Sequence, residues 1–203
     1  RATGIAGLSE PARALRPERD EAAETITSNP LPCANTIGVF SGVSAVVRAS
    51  TFSGNSATDQ GGALYNQGSI ATIVASTFSD NSGDEAGAAI RVNSSTVSLQ
   101  STILANGDGD DCSINSSTFT SLGYNLSDDD SCNLDPDKGD IPNSTNIDLG
   151  PLQDNGGPTR TMLPATGSDA ADAIPPDACP TSTTATDQRG APRPTGADAW
   201  CDI

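Results

Sequence analysis

Nine aspartates crowd two short stretches of the chain, NGDGDDC (Asn106–Cys112) and DDDSCNLDPDKGD (Asp128–Asp140). Carboxylates gathered on loops suit a hard cation such as calcium, which takes about six to eight oxygen ligands. On that reading Asp108, Asp110, Asp111, Asp135 and Asp137 are the candidate ligands of a weak calcium site, and no other cofactor is indicated. Neither stretch keeps the register of an EF-hand loop. Gly139 falls where a ligand belongs, and Asp140 falls where the glycine belongs. A solvated acidic loop holding no ion explains the same composition.

Catalysis on polysaccharide needs other groups. A lyase takes a sugar proton with a basic residue beside a cation or cationic side chain. The interior of the chain offers only Arg48 and Arg91 for that role. A glycoside hydrolase needs two carboxylates across a groove, typically with aromatic platforms. Phe, Tyr and Trp together make up 3% of the residues, so the expectation is a protein that is not an enzyme.

The five cysteines do not form a metal site of the usual kind, since none lies in a CxxC pair and the chain has no histidine. Cys112 with Cys132 would close one short loop, and Cys179 with Cys201 another. Each bridge would stabilise the fold by about 3 kcal/mol through restriction of the unfolded chain. Oxidised cysteines imply a secreted, extracellular location. Cys33 is left over, as a buried free thiol or as a bridge to another subunit.

The elements that carry these loops show in the composition. The chain has 203 residues, 34% hydrophobic, and a net charge of −16 from 26 acidic and 10 basic residues. Phosphate-rich partners are repelled by such a surface, so nucleic acid and anionic membranes are poor partners. No apolar run approaches a membrane span. Arg1 opens a polar segment with no initiator methionine, which fits the processed form of an exported protein.

A repeat organises the middle of the chain. STFSGNSATDQ precedes GGAL (Gly61–Leu64), and STFSDNSGDEA precedes GAAI (Gly87–Ile90), twenty-six residues later. A period of this size is the mark of a solenoid. SIATIVASTF and STVSLQSTI alternate at period two and are rich in β-branched residues, so the unit is built of strands. Such a coil stacks Phe52, Phe78 and Ile103 in one interior column and Asn55, Asn81 and Asn106 at one corner, with Gly61, Gly62 and Gly87 supplying turn dihedrals. The asparagines read alternatively as a ligand face.

The pairs Phe52–Asn55 with Gly61–Leu64, and Phe78–Asn81 with a degenerate Gly87–Ile90, resemble the repeats of chlamydial polymorphic membrane proteins. That resemblance implies a right-handed parallel β-helix. The second half is similar to another family. TSLGYNL, LGPLQDNGGPT, MLPATGSDAADA, TDQRGAPRP and CDI follow in order between Thr120 and Ile203. Together they resemble the C-terminal region of the bacterial choice-of-anchor Q proteins. This second resemblance implies surface export, a parallel β-helix and paired cysteines near the end, and it implies no reaction. The chain departs from the family at Arg160–Met162 and Gly167–Asp172. LPATG (Leu163–Gly167) spells a sortase signal, but largely polar residues follow it, so it is read as coincidence.

The fold expected is therefore all-β: a short right-handed single-stranded parallel β-helix of about four coils. Residues 1–32 form an N-terminal arm or capping segment, 33–126 the repeats, 127–148 an acidic disulfide-pinned loop, and 149–203 a Pro/Gly-rich segment packed on the coils. Glu10–Ile26 is rich in Ala, Arg and Glu, and reads as a capping helix or as an arm that docks on a neighbour. Arg13, Arg16, Arg19 and Cys33 are then the intersubunit candidates for head-to-tail association into a filament. The function expected is structural, on a bacterial surface or in a matrix, with contact to the cell surface or to polysaccharide. An adhesin fragment and a carbohydrate-binding or carbohydrate-cleaving module are the alternatives.

Overall fold

The computed structural model describes residues 25–27, 37–39, 44–57, 61–83, 87–106, 109–179, 186–193 and 200–203. Short runs of β-branched and alternating residues, broken by Ser, Asn and Gly, give short strands separated by tight corners. The first coil holds β1 (Thr25–Thr27), β2 (Ile37–Val39) and β3 (Ser44–Arg48). The second holds β4 (Thr51–Ser53), β5 (Ser56–Ala57), β6 (Leu64–Gln67) and β7 (Ile70–Val74). The third holds β8 (Thr77–Ser79), β9 (Ser82–Gly83), β10 (Ile90–Asn93) and β11 (Thr96–Gln100). The fourth holds β12 (Ile103–Ala105), β13 (Cys112–Asn115) and β14 (Thr118–Ser121), and β15 (Leu126–Ser127) follows.

Corresponding strands of successive coils pair in parallel. Sheet 1 runs β1-β4-β8-β12-β15, sheet 2 runs β2-β6-β10-β13, sheet 3 runs β3-β7-β11-β14, and β5 pairs with β9. The molecule is thus a parallel β-helix, as the repeat implied. Among the described residues there is no α-helix, and one 3-10 turn spans Pro136–Lys138. No helix among them is long and apolar enough to cross a membrane. The helical reading of Glu10–Ile26 lies mostly outside the described residues, and its last two positions, Thr25 and Ile26, belong to β1. Strand pairing of Thr25–Thr27 with Thr51–Ser53 begins the coil stack ahead of residue 33.

Side chains alternate in and out of each strand, so one coil buries only half of its residues and the core is a narrow column. Phe52, Leu64, Ile73, Phe78, Ile90, Leu99 and Leu104 line it, all at 0% exposure. The Phe52 and Phe78 rings stack with centroids 4.5 Å apart and planes parallel. Leu104, in register with Phe78, is the third member of that column, which corrects the placement of Ile103. Ile103 pairs with Thr77 and points out of the coil instead. The error has a local cause. Left-handed Gly54 (φ 66°) and Asp80 (φ 56°) precede Asn55 and Asn81, whereas Ala105 leads directly into Asn106. One turn residue is missing after β12, so the asparagine interval shrinks by one while the strand interval stays at twenty-six.

Ile103 is buried all the same. Together with Leu126, Ile147 and Ala170 it forms a second cluster, flanked by Ile141, Leu149 and Ile203. The C-terminal segment therefore packs on the outer face of sheet 1, beside the coils. Along that outward row Thr51 and Thr77 give way to Ile103 and Leu126. The Thr51 hydroxyl donates to Gln188 Oε1 at 2.7 Å, tying the segment to the second coil as well. Ile174 and the Cys179–Cys201 pair form a third cluster against Tyr124. Both expected disulfides are present, with Cα separations of 4.9 Å for Cys112–Cys132 and 5.8 Å for Cys179–Cys201. Cys33, Arg13, Arg16 and Arg19 lie outside the described residues.

Candidate functional site

Parallel stacking demands a polar solution at every corner where the chain turns inside the column, because buried amides must find partners. Asn55 shows the solution: its backbone N–H and its Nδ2 both donate to Asn81 Oδ1, at 3.1 and 2.8 Å. Asn81 repeats this toward Asn106 Oδ1, at 2.8 and 2.9 Å, and its Nδ2 also donates to the Phe52 carbonyl. These asparagines are 0 to 7% exposed, so they are a ladder along the axis and do not form an open ligand face. Gly61 (φ 65°) and Gly87 (φ 74°) take the left-handed turn that follows in each coil. A Cβ on Gly62 would meet the carbonyl oxygens of Ala88 and Ser82 at 2.3 and 2.5 Å, so the stacking itself requires glycine there.

The ladder has a direction, and it ends on an acid. Asn106 Nδ2 donates to Asp111 Oδ1 at 2.6 Å, and Asp111 Oδ2 accepts from the Ser127 hydroxyl at 2.6 Å. Backbone bonds show that Asp111 occupies the place of Ala63 and Ala89: Ala63 N–H donates to Ala89 O, and Ala89 N–H to Asp111 O. Gly109-Asp110-Asp111-Cys112 is thus a third copy of GGAL, disguised by two acids. A carboxyl accepts at Oδ1 in either protonation state and asks for no acceptor in a following coil, which suits the last rung. A second ladder ends in the same way. Thr102 N–H donates to Asn125 Oδ1, and Asn125 N–H and Nδ2 donate to Asp140 Oδ1 at 2.8 and 3.0 Å.

Side chains also take the first backbone groups on the edge of sheet 2. Leu64 N–H bonds Ala89 O and Ile90 N–H bonds Asp111 O, each reaching into the next coil. In the fourth coil Asp111 N–H goes to Asp129 Oδ2 at 2.7 Å and Cys112 N–H to Ser131 Oγ at 2.9 Å. The Cys112–Cys132 bridge pins that loop in place. At sheet 1, Ser127 N–H bonds Ile141 O and Ile141 N–H bonds Asn125 O. At sheet 3, Lys138 Nζ donates to Ser121 O at 3.0 Å. Residues 127–141 therefore meet all three sheets at the C-terminal end of the coil stack, pairing with β15 and capping the start of β13 and the end of β14.

Among the described residues, Asp111 is the one acid expected to bind calcium that stands in a cluster. Its companions are Asp128 and Asp129, with one carboxylate oxygen from each of the three residues lying within 4.8 Å of the others. Asp110 is exposed, Asp137 is exposed within the 3-10 turn, and Asp135 caps that turn through Asp137 N–H. Asp108 lies outside the described residues. The oxygens of Asp111 and Asp129 accept bonds from their own chain, with Asp129 Oδ1 taking both Ser131 N–H and Ser131 Oγ. Of the acids that sequence grouped by proximity, Asp111, Asp129, Asp135 and Asp140 thus accept hydrogen bonds from their own chain. Arg48 and Arg91 stand on different sheets, and the Arg91 guanidinium donates to Ser113 Oγ.

Asp111 is fully buried, and burial is the main reason its carboxyl is raised to about 7. Hydrogen bonds from Ser127 and Asn106 oppose that shift, while Asp128 and Asp129 add to it. The folded value stands above the unfolded one, so this group's stabilisation is complete below about pH 4 and is lost as the pH rises toward 7. Asp111→Asn stays neutral, keeps an acceptor for Asn106, and lets the Ser127 hydroxyl turn to accept. Denaturation at pH 4 and pH 8 should show the wild type losing a few kcal/mol relative to this variant, since each pKa unit is about 1.4 kcal/mol. Parallel pH profiles for the two proteins would refute the assignment.

The fold and its ladders define a solenoid whose polar corners repeat with the coil and terminate at one end. A family model described as the Chlamydia polymorphic membrane protein (Chlamydia_PMP) repeat matches residues 49–67. That stretch contains both the Phe52–Asn55 and the Gly61–Leu64 elements, that is, β4, the asparagine corner, β5 and β6. It does not extend to the region that resembles the choice-of-anchor Q proteins. No curated protein and no solved structure matches the chain.

Proposed function

We propose that this chain is a non-enzymatic structural module displayed on a bacterial surface, a β-helix body closed at one end by its own acidic cap. The observation that carries the reading is the match to the polymorphic membrane protein repeat at residues 49–67, realised here as a coil with its asparagine in the ladder. Two disulfides favour an oxidising, extracellular setting. The deepest carboxyls, Asp111 and Asp140, hold backbone and amide groups and so support a structural role over an acid–base one. The surface export implied by the choice-of-anchor Q resemblance points the same way.

Antibody labelling of intact source cells tests the location. Labelling before permeabilisation is the expected result, and labelling that appears only afterwards would reject the surface reading. A screen of neutral and acidic polysaccharides should give no turnover. Cleavage abolished by one Asp or Arg substitution would make the chain an enzyme.

A further inference from the structure

The sheets of a β-helix end in rows of backbone N–H and C=O groups that a further coil, from any source, can satisfy. In this molecule the C-terminal end carries five separate closures of that kind. Side-chain oxygens of Asp129 and Ser131 take the two N–H groups of Asp111 and Cys112 that would otherwise bond a fifth rung of sheet 2. Asp140 takes the Asn125 amide, Ile141 continues sheet 1, and Lys138 reaches the Ser121 carbonyl of sheet 3. Each replaces the group that the next coil supplies elsewhere in the stack. The acids among them also leave an added coil facing carboxylates, where the interior ladders would offer it amides.

We infer that residues 127–141 are a stop against axial association: they extend sheet 1 through Ile141 and take the backbone groups at the start of β13 and the end of β14, on the edge where the first coil of a second copy of this chain would stack. The inference rests on the β-helix reading of the chain and not on where the protein is displayed. A contact between the two unlike ends of a coil stack does not close on itself, so an open end would propagate into fibres. Charge supports the same occupant and the same exclusion. Asp128, Asp129, Asp130 and Asp137 stand on the cap of a chain whose net charge is −16, so a second copy approaches this end against repulsion.

The test is the association state of the full chain in sedimentation velocity over a wide concentration range. Wild type should remain a single-chain species throughout. The double variant Asp129→Ala, Ser131→Ala keeps the disulfide but frees the Asp111 and Cys112 amides. It should form species whose weight-average mass at least roughly doubles with concentration, as an open head-to-tail contact requires. A variant that retains its cooperative melt and stays single-chain at every concentration overturns the inference. So does a wild type that itself grows into fibres with the cap in place. If the double variant loses its cooperative melt, Cys112→Ser with Cys132→Ser is read in the same assay. That pair keeps every acceptor, unpins the cap and removes the bridge from the core cluster it belongs to, and a folded single-chain result again overturns the inference. None of these outcomes bears on surface labelling, so the two readings fail independently.

Discussion

Phe78→Ala should cost about 3–5 kcal/mol, the range for removing a fully buried aromatic from a packed core. Phe78 is at 0% exposure, stacked on Phe52 at 4.5 Å and in register with Leu104. A narrow column has few ways to collapse around the space left, because each coil is held by strand hydrogen bonds above and below. For a chain of this size the loss corresponds to a fall in melting temperature of roughly 6–20 °C. Ile103→Ala should act differently. Its side chain lies under the C-terminal segment, so limited proteolysis should release that segment before the coils unfold. A Phe78→Ala protein that melts with the wild type would put the ring outside the column.

Asn81→Asp tests the direction of the ladder. The middle rung must accept from Asn55 and donate to Asn106 Oδ1 and to the Phe52 carbonyl. A carboxylate can do the first and cannot do the second. It would leave a buried charge beside two oxygens that have lost their donor, a situation worth about 3–5 kcal/mol. The expected result is strong destabilisation at pH 7 that eases as the pH falls and the new carboxyl takes up a proton. Asp111→Asn, the reverse exchange at the last rung, should be tolerated over the same range. Equal effects at the two rungs would mean that the ladder has no polarity.

Much of this architecture is legible along the chain. Phe52–Asn55 and Phe78–Asn81 with their glycine turns repeat at twenty-six residues because each coil must place the same atoms at the same corner, and period-two alternation marks the strands between. The cysteine pairs follow from proximity, at sequence separations of 20 and 22. Three features needed the tertiary structure. The outward placement of Ile103 depends on a single missing turn residue, which shifts an asparagine alignment but leaves strand pairing unchanged. Gly109-Asp110-Asp111-Cys112 hides a repeat, since what identifies it is a set of backbone bonds to Ala88, Ala89 and Ile90, and no side chain is shared. The aspartates, finally, look alike as a string of letters. Burial at the last rung separates Asp111 and Asp140 from Asp110 and Asp137, because a carboxyl becomes a ladder terminus only where donors from the coil before it converge and no coil follows.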